Sequence, residues 1–318
     1  MGLHSIAIPM IEDFIRQWSD QSEWIWAHTS GSTGKPKDIR LAKADMIVSA
    51  KATTDFFNIG RQSFMVCPLS VDYIAGKMMW VRGKVSEAEV VFERPSMMPL
   101  GADYNRIIDL VPIVPAQISG LLCSPNIDKI RHIIVGGSPL DDNQESLLKE
   151  FPCWATYGMT ETCSHVALRR IGLEKYFTPL PGFRMSLDEA GTLVIESENM
   201  SFGRLVTNDI AEILPDGRFR IIGRRDNVII SGGEKFFPEQ IENRLSGILK
   251  NIEYYISSRF SRVWGEECVL VVKNTALSDE KLLELCAHEL SRHEVPKAVI
   301  RQRQFEYTST GKLRRRKF

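Results

Sequence analysis

Residues 26–41, WAHTSGSTGKPKDIRL, crowd Thr29, Ser30, Ser32 and Thr33 with two glycines and Lys37 between a run that reads as a strand and one that reads as a helix. Clustered hydroxyls and backbone N–H groups are what phosphate oxygens need, glycines let the backbone approach, and Lys37 adds charge. The Walker A pattern cannot be laid on this stretch, and the same residues would also make a plain polar connection. YGMTE, Tyr157 to Glu161, follows the apolar CWA. An aromatic ring, Gly158, Thr160 and a carboxylate at a strand end could stack a base, approach a phosphate and hold Mg²⁺. A Tyr-Gly turn before an acidic helix start has the same sequence. TND and GRRD set Asp209 and Arg224 at the ends of neighbouring short strands. There a carboxylate can accept from two ribose hydroxyls and a guanidinium can reinforce it, or the two can form a surface ion pair. ISGGEKFFPEQIE places Gly232 and Gly233 just before a helix, a backbone suited to bending or to close approach by a ligand. TSTGKLRRR sets Lys312 after a glycine in a polar C-terminal segment, where a solvated tail lysine is the other reading.

The elements that must position these groups alternate. PMIEDFIRQW places Ile11, Phe14, Ile15 and Trp18 at helical spacing. EWIWA reads as a buried strand, AKADMIVSAKATTDFF as a helix, FMVCPL as a buried strand and AGKMMWVRG as a helix. VVFERP, IVPAQISGLL, RHIIVGGSPL and PCWATYGMTE continue short apolar runs between helical segments, the mark of an α/β fold with a largely parallel sheet. From about residue 182 short strands dominate, with the turn PDG between two of them. A third region begins near Arg225: a helix from Pro238, the strand EECVLVVK, a helix capped by Ser278 and the last strand KAVIRQRQFEY. GRRD, 223–226, is the expected hinge.

The chain has 318 residues, 43% hydrophobic, enough for about two domains. Forty basic and forty acidic residues cancel, so bulk charge points to no nucleic acid, and the run KLRRRKF reads as a solvated end. The six cysteines form no CxxC pair or metal-ligand spacing and read as reduced thiols of a cytoplasmic protein. No signal peptide or membrane span is expected.

Taken in order, TSGSTGKPK, GGSPL, YGMTE, TND, GRRDNVIISGGEKFFPEQIE and STGK resemble the adenylate-forming superfamily of acyl-CoA ligases, luciferases and carrier-loading adenylation domains. The resemblance runs from Thr29 to Lys312. The flanks YGMTETCSHVALR and LVTNDIAEIL are most similar to o-succinylbenzoate–CoA ligases of menaquinone synthesis, particularly a short bacterial branch. The implied fold is a large α/β N-terminal domain, residues 1–225, truncated at its N-terminus. It divides into an α/β part, 1–181, and a β-rich part, 182–225. A small mobile α+β domain, 226–318, follows.

The resemblance also implies roles. Thr29, Ser30, Ser32, Thr33 and Lys37 would grip the β- and γ-phosphates of ATP. Gly136, Gly137 and Ser138 would border the adenine, with Tyr157 stacking on it. Thr160, beside Gly158, would touch the α-phosphate, and Glu161 would hold Mg²⁺. Asp209 and Arg224 would bind the ribose, Asp226 would be the hinge, and Lys312 would stabilise charge as a carboxylate attacks the α-phosphorus. Gly232 and Gly233 would line the route of the CoA thiol arm. Free CoA is expected, since the chain ends at residue 318 without a carrier domain. For a second carboxylate on the acid, Arg82, Lys77 and Arg61 are candidates. Arg82, six residues after Gly76, is the preferred one, against a solvent-facing helix arginine.

The sequence also departs from the superfamily. Only 28 residues precede the phosphate stretch, where a large subdomain is usual. Either a compact member or an absent piece is implied, with an exposed sheet edge and a homodimer as expectations. Val71, Asp72 and Tyr73 replace the usual pocket histidine, and TND replaces TGD. A ligase for another aryl or short acyl acid and a degenerate, non-catalytic nucleotide binder are the competing readings.

Overall fold

Apolar spacing sets the first helix, α1 (Ile8–Ser19), which buries Ile11 and Phe14. The computed structural model describes residues 8–28, 38–307 and 313–318. β1 (Trp24–His28) pairs antiparallel with β2 (Asp38–Ala42), Trp26 opposite Arg40. Ile25, Ala27 and Leu41 enter the core, while Trp24 and Trp26 are 43% and 51% exposed. EWIWA is therefore a one-sided strand rather than a fully buried one, because its period of two leaves alternate indoles outside. The pairing corrects a second expectation. Residues 29–37 connect two antiparallel strands, and the helix α2 (Lys43–Phe56) starts only after β2.

α2 packs against α3 (Ile74–Ser86). Between them in sequence, β3 (Phe64–Cys67) runs parallel to β4 (Glu89–Phe92) and bridges through Met65 to Leu110, just ahead of β5 (Val111–Ile113). β5, β6 (Ile133–Val135) and β7 (Cys153–Gly158) continue in parallel, and β8 (His165–Arg170) and β9 (Thr178–Pro179) close the order antiparallel. Two short helices, α4 (Ile118–Leu122) and α5 (Asp142–Leu148), lie in the connections. Side chains alternate between two cores along these strands. Met65, Cys67 and Ile134 join the core of α1, α2 and α3, whereas Phe64, Val66, Ile133 and Val135 join the other. A parallel sheet covered on both faces explains why FMVC and HIIV read as nearly unbroken apolar runs. The carboxyl ends of β3, β5, β6 and β7 all open on one edge, where such sheets take their ligands.

A four-stranded antiparallel sheet follows: β10 (Arg184–Leu187), β11 (Thr192–Glu196), β12 (Arg204–Ile213) and β13 (Phe219–Arg224). Gly217 supplies the positive φ, 85°, of the PDG turn between the last two. Asp45 of α2 is buried and accepts from Ser201 N at 2.9 Å and from the Ser201 hydroxyl, tying this sheet to the helical layer.

After a short turn at Arg225–Asn227 come β14 (Ile229–Ser231), β15 (Glu234–Phe236), α6 (Pro238–Leu245), β16 (Glu253–Ser261), β17 (Gly265–Lys273), α7 (Asp279–Glu289) and β18 (Ala298–Gln302). Pro238 occupies the first turn of α6, and Ser278 caps α7 by accepting from Lys281 N at 3.2 Å. β16 has no counterpart in the sequence reading. Its polar Ser257 and Ser258 interrupt the apolar pattern, yet it pairs with β17 along its whole length. One face of this sheet, with Ile256 and Leu270, packs beneath α6 and α7. The other, with Tyr255, Val269 and Val271, is covered by Phe305 and Leu313. All six cysteines are free thiols, and Cys123 alone is exposed. Among the described residues no helix is long and apolar enough to cross a membrane.

Candidate active site

Asp209 and Arg224 lie directly opposite each other on β12 and β13. Arg224 Nη1 donates to Asp209 Oδ1 at 3.0 Å, and Tyr157 Oη, reaching over from β7, donates to Asp209 Oδ2 at 2.7 Å. Asp209 sits within the ten-residue β12 rather than at a strand end, just before a register shift at Ile210/Ala211. Thr207 Oγ1 accepts from Asp209 N at 3.0 Å and holds that backbone. The Tyr157 ring packs edge-on to Phe219, centroids 5.2 Å apart, and lies 6.0 Å from Phe177. Burial, and then the Asp209 charge, push the Tyr157 hydroxyl well above its ordinary range, so it remains a donor. Among the described residues each Asp209 oxygen has one side-chain donor and keeps lone-pair capacity for a further one, as a diol clamp requires. The second guanidinium nitrogen of Arg224 lies 3.7 Å from Asp226 Oδ2, so the same arginine touches the expected hinge.

The loop after Tyr157 is held by its own chain. Thr162, fully buried, has its hydroxyl at 3.0 Å from Met159 N and at 2.7 Å from Ser164 O. Gly158 pairs with His165, and a Cβ there would stand 2.3 Å from Ser164 O and 2.5 Å from His165 Cα. Close approach of β8 therefore accounts for this glycine. Thr160 is half-buried and Glu161 exposed on the turn Thr160–Thr162. Among the described residues no group of three or more His, Cys, Asp and Glu could hold a metal ion unaided. Glu161 suits Mg²⁺, which takes one or two protein carboxylates together with phosphate oxygens and water.

Behind that loop lies a polar cluster. Arg82 on α3 is only 2% exposed, not solvent-facing. Its Nη2 donates to Ser164 Oγ at 3.0 Å and its Nη1 lies 3.5 Å from Met79 Sδ, while its buried Nε has no hydrogen-bond partner. Among the described residues no carboxylate forms an ion pair with it. Burial lowers the guanidinium to about 10, still protonated near neutral pH. Ser164 Oγ also meets Ser49 Oγ at 2.7 Å, and His165 Nε2 meets Thr53 Oγ1 at 3.1 Å. Burial, and then Arg82, hold His165 well below the usual imidazole range. Among the described residues Ser164 is thus the one oxygen partner of Arg82, with Ser49, Thr53 and His165 in the hydrogen-bonded cluster behind it. A buried cation without a counter-charge costs on the order of a few kcal/mol unless an anion joins it. Lys77 is also buried, its ammonium 5.9 Å from the Phe14 ring and lowered by burial. Arg61 instead precedes β3, at the amino ends of the strands, and pairs with Glu87. The sequence singled out Arg82 as a candidate but not Ser49, Thr53, Ser164 and His165, whose only signal was polar residues in otherwise apolar segments.

Gly136, Gly137 and Ser138 follow β6 at the carboxyl edge. Gly136 has room for no Cβ, Thr156 Oγ1 being 2.5 Å from its position, and Gly137 has φ +95°. Gly232 and Gly233 both have positive φ, and Trp264, unmarked in the sequence reading, covers Gly232 so closely that a Cβ would meet its ring at 2.9 Å. Thr29, Ser30, Ser32, Thr33, Lys37 and Lys312 lie outside the described residues.

A family model described as AMP-binding enzyme matches residues 18–207. The 2-succinylbenzoate–CoA ligase of Staphylococcus epidermidis is 27% identical over 324 residues, covering 91% of this chain and 68% of that protein. A solved acyl-CoA synthetase (AMP-forming)/AMP-acid ligase II-like protein from Dyadobacter fermentans is 30% identical, with 98% of this chain and 93% of that one covered and a TM-score of 0.65. The o-succinylbenzoate CoA synthetase of Bacillus subtilis, solved with an acyl-adenylate intermediate, superposes with a TM-score of 0.82 over 91% of this chain and 67% of its own, at 23% identity. The chain thus spans about two thirds of the Staphylococcus and Bacillus proteins and nearly all of the Dyadobacter chain.

Proposed function

We propose an activity from one premise: the chain belongs to the AMP-binding enzyme family, whose model spans residues 18–207, and shares the adenylate-forming fold. The reading is an ATP-dependent, AMP-forming acid–CoA ligase. A carboxylate oxygen attacks the α-phosphorus of ATP, the bond to pyrophosphate breaks, and an acyl-adenylate forms. The sulfur of CoA then attacks the acyl carbon, AMP leaves, and the thiol proton passes to solvent. The observation that carries the reading is the meeting of Tyr157, Asp209 and Arg224 beside the carboxyl edge of the parallel sheet.

In this account Asp209 accepts from the ribose hydroxyls while Arg224 fixes its orientation. Tyr157, with Gly136, Gly137 and Ser138, borders the adenine. The hydroxyls of Thr29, Ser30, Ser32 and Thr33, with Lys37, hold the β- and γ-phosphates, and Thr160 the α-phosphate. Mg²⁺, held by Glu161 and phosphate oxygens, would neutralise phosphate charge. No general base is needed in the first step, because the attacking carboxylate is already ionised. Lys312 stabilises the charge that builds on the phosphate oxygens. Residues 226–318 then pivot at Asp226 against 1–225, and Gly232 and Gly233 admit the thiol arm.

For the acid, the buried, unpaired Arg82 favours one with a second carboxylate, and o-succinylbenzoate fits, in line with the name of the Staphylococcus relative. A second reading rests on the bond Arg82 already makes to Ser164. If that bond is the whole of its role, the acid is an aryl or short acyl monocarboxylate. Acid-dependent exchange between ATP and labelled pyrophosphate tests the chemistry, and Lys312→Ala should abolish it while still converting preformed acyl-adenylate to thioester. Arg82→Met decides between the acids. It should raise KM for the dicarboxylate roughly 10- to 100-fold, the worth of one charged hydrogen-bonded contact, and leave KM for ATP unchanged.

A further inference from the structure

We propose that Arg315 is a positioning residue for the adenylate-forming step, holding in place the segment that ends in Lys312. This rests on the role given above to Lys312. Tyr307 and Leu313, on either side of residues 308–312, are bridged antiparallel, and Arg314 N donates to Glu306 O at 2.8 Å. Two residues beyond that bridge, the Arg315 guanidinium enters a largely buried ion pair with Glu242 of α6, their side chains 17% and 20% exposed. Nη2 donates to Glu242 Oε2 at 2.6 Å and Nη1 to Oε1, a two-pronged contact, while Nε lies 3.9 Å from Glu239 Oε1.

The pair is also built into the edge of the sheet. Glu242 Oε1 accepts from Ile256 N at 2.6 Å, and Arg315 Nη1 donates to Ile256 O at 3.2 Å. Both backbone groups belong to β16, the edge strand, so one ion pair satisfies an N–H and a C=O that no neighbouring strand pairs. Beyond it the tail continues along the same edge. Ser257 Oγ donates to Arg316 O, Phe318 N to Ser258 O, and Phe260 N to Phe318 O. Arg315 also lies 5.9 Å from the Tyr255 ring, and Tyr255 packs edge-on against Phe305 on the other side of the segment.

Lys312 precedes Arg315 by only three residues in the chain. An error of about 1 Å in a charged group at the reacting phosphate costs on the order of 100-fold in rate. The arrangement is internal to residues 239–318, so it would travel with Lys312 if that part of the chain moved.

The test compares both half-reactions in the full-length protein. Arg315→Met should slow single-turnover acyl-adenylate formation at least 10-fold and leave thioester formation from preformed acyl-adenylate within about 2-fold. Arg315→Lys, which keeps the charge but loses the two-pronged geometry, should fall between Met and the parent. If Arg315→Met does not fold, Glu242→Gln, nearly the same shape with a weaker hold, should show the same split. Equal loss in both half-reactions would make the pair merely structural and overturn the proposal, as would unchanged adenylation in Arg315→Met. Full adenylation by Lys312→Ala would instead remove the premise, a failure that appears in that variant and not in the Arg315 series.

Discussion

At the scale of single residues, the proposed nucleotide clamp depends on Asp209 receiving two donors from different parts of the chain and retaining capacity for a substrate diol. Asp209→Asn removes the charge that Arg224 and Tyr157 share. With charged hydrogen bonds contributing about 1.5–3 kcal/mol each, kcat/KM for ATP should fall roughly 100-fold or more. Tyr157→Phe keeps the ring packing on Phe219 and deletes one donor, so a loss of about 10-fold is expected in the same assay. The pairing of Asp209 with Arg224 was legible from TND and GRRD, which read as the ends of neighbouring strands. The Tyr157 contact was not, since its partner is 52 residues away and reaches it only through the packing of two sheets. The same holds for the surroundings of Arg82. A helix arginine ordinarily faces water, and only the tertiary structure places Ser49, Thr53, Ser164 and His165 around it.

At the scale of elements, close approach matters more than propensity. Gly158→Ala would push a methyl group against the backbone of Ser164 and His165, where no side chain can yield. A cost of about 1–3 kcal/mol is expected, read as a lower urea midpoint with an unchanged slope. Gly233→Ala meets no atom within 4 Å but has φ +87°, so its cost should come from backbone strain, about 1–2 kcal/mol on the same measurement. The first helix was readable from the helical spacing of Ile11, Phe14, Ile15 and Trp18, and the buried strand FMVC from its unbroken apolar composition. Two features were not. β2 begins with the charged Asp38 and is too short to declare a period, so the residues before it read as the entrance to a helix. β16 carries serines inward, where Ser257 bonds Arg316 O and Ser258 bonds Glu266, and such bonds hide an edge strand from any reading based on hydrophobicity.

At the scale of the whole molecule, two histidines shifted by burial couple stability to pH. His165 and His132 are both held below the ordinary imidazole range by burial first, and further by neighbouring arginines. In the folded protein they take up protons only at lower pH than in an unfolded chain, which binds them below about pH 6.5. The unfolded state then binds more protons, so stability is full above that range and declines as pH falls through it, before most carboxylates titrate. Thermal unfolding followed from pH 7.5 to 5.5 should show this decline, and His165→Gln should flatten it. The large-scale organisation was legible in outline, since the switch from alternating α/β to short strands near residue 182 precedes β10 at Arg184. The central claim is the two-step ligase reaction on a dicarboxylate acid. It is tested most directly by thioester formation from ATP, Mg²⁺, CoA and o-succinylbenzoate, measured beside benzoate, octanoate and acetate. The account predicts CoA thioester and AMP in equal amounts with o-succinylbenzoate and little with the others. Turnover of a monocarboxylate instead would contradict the role of Arg82, and no thioester or pyrophosphate with any acid would contradict the ligase itself.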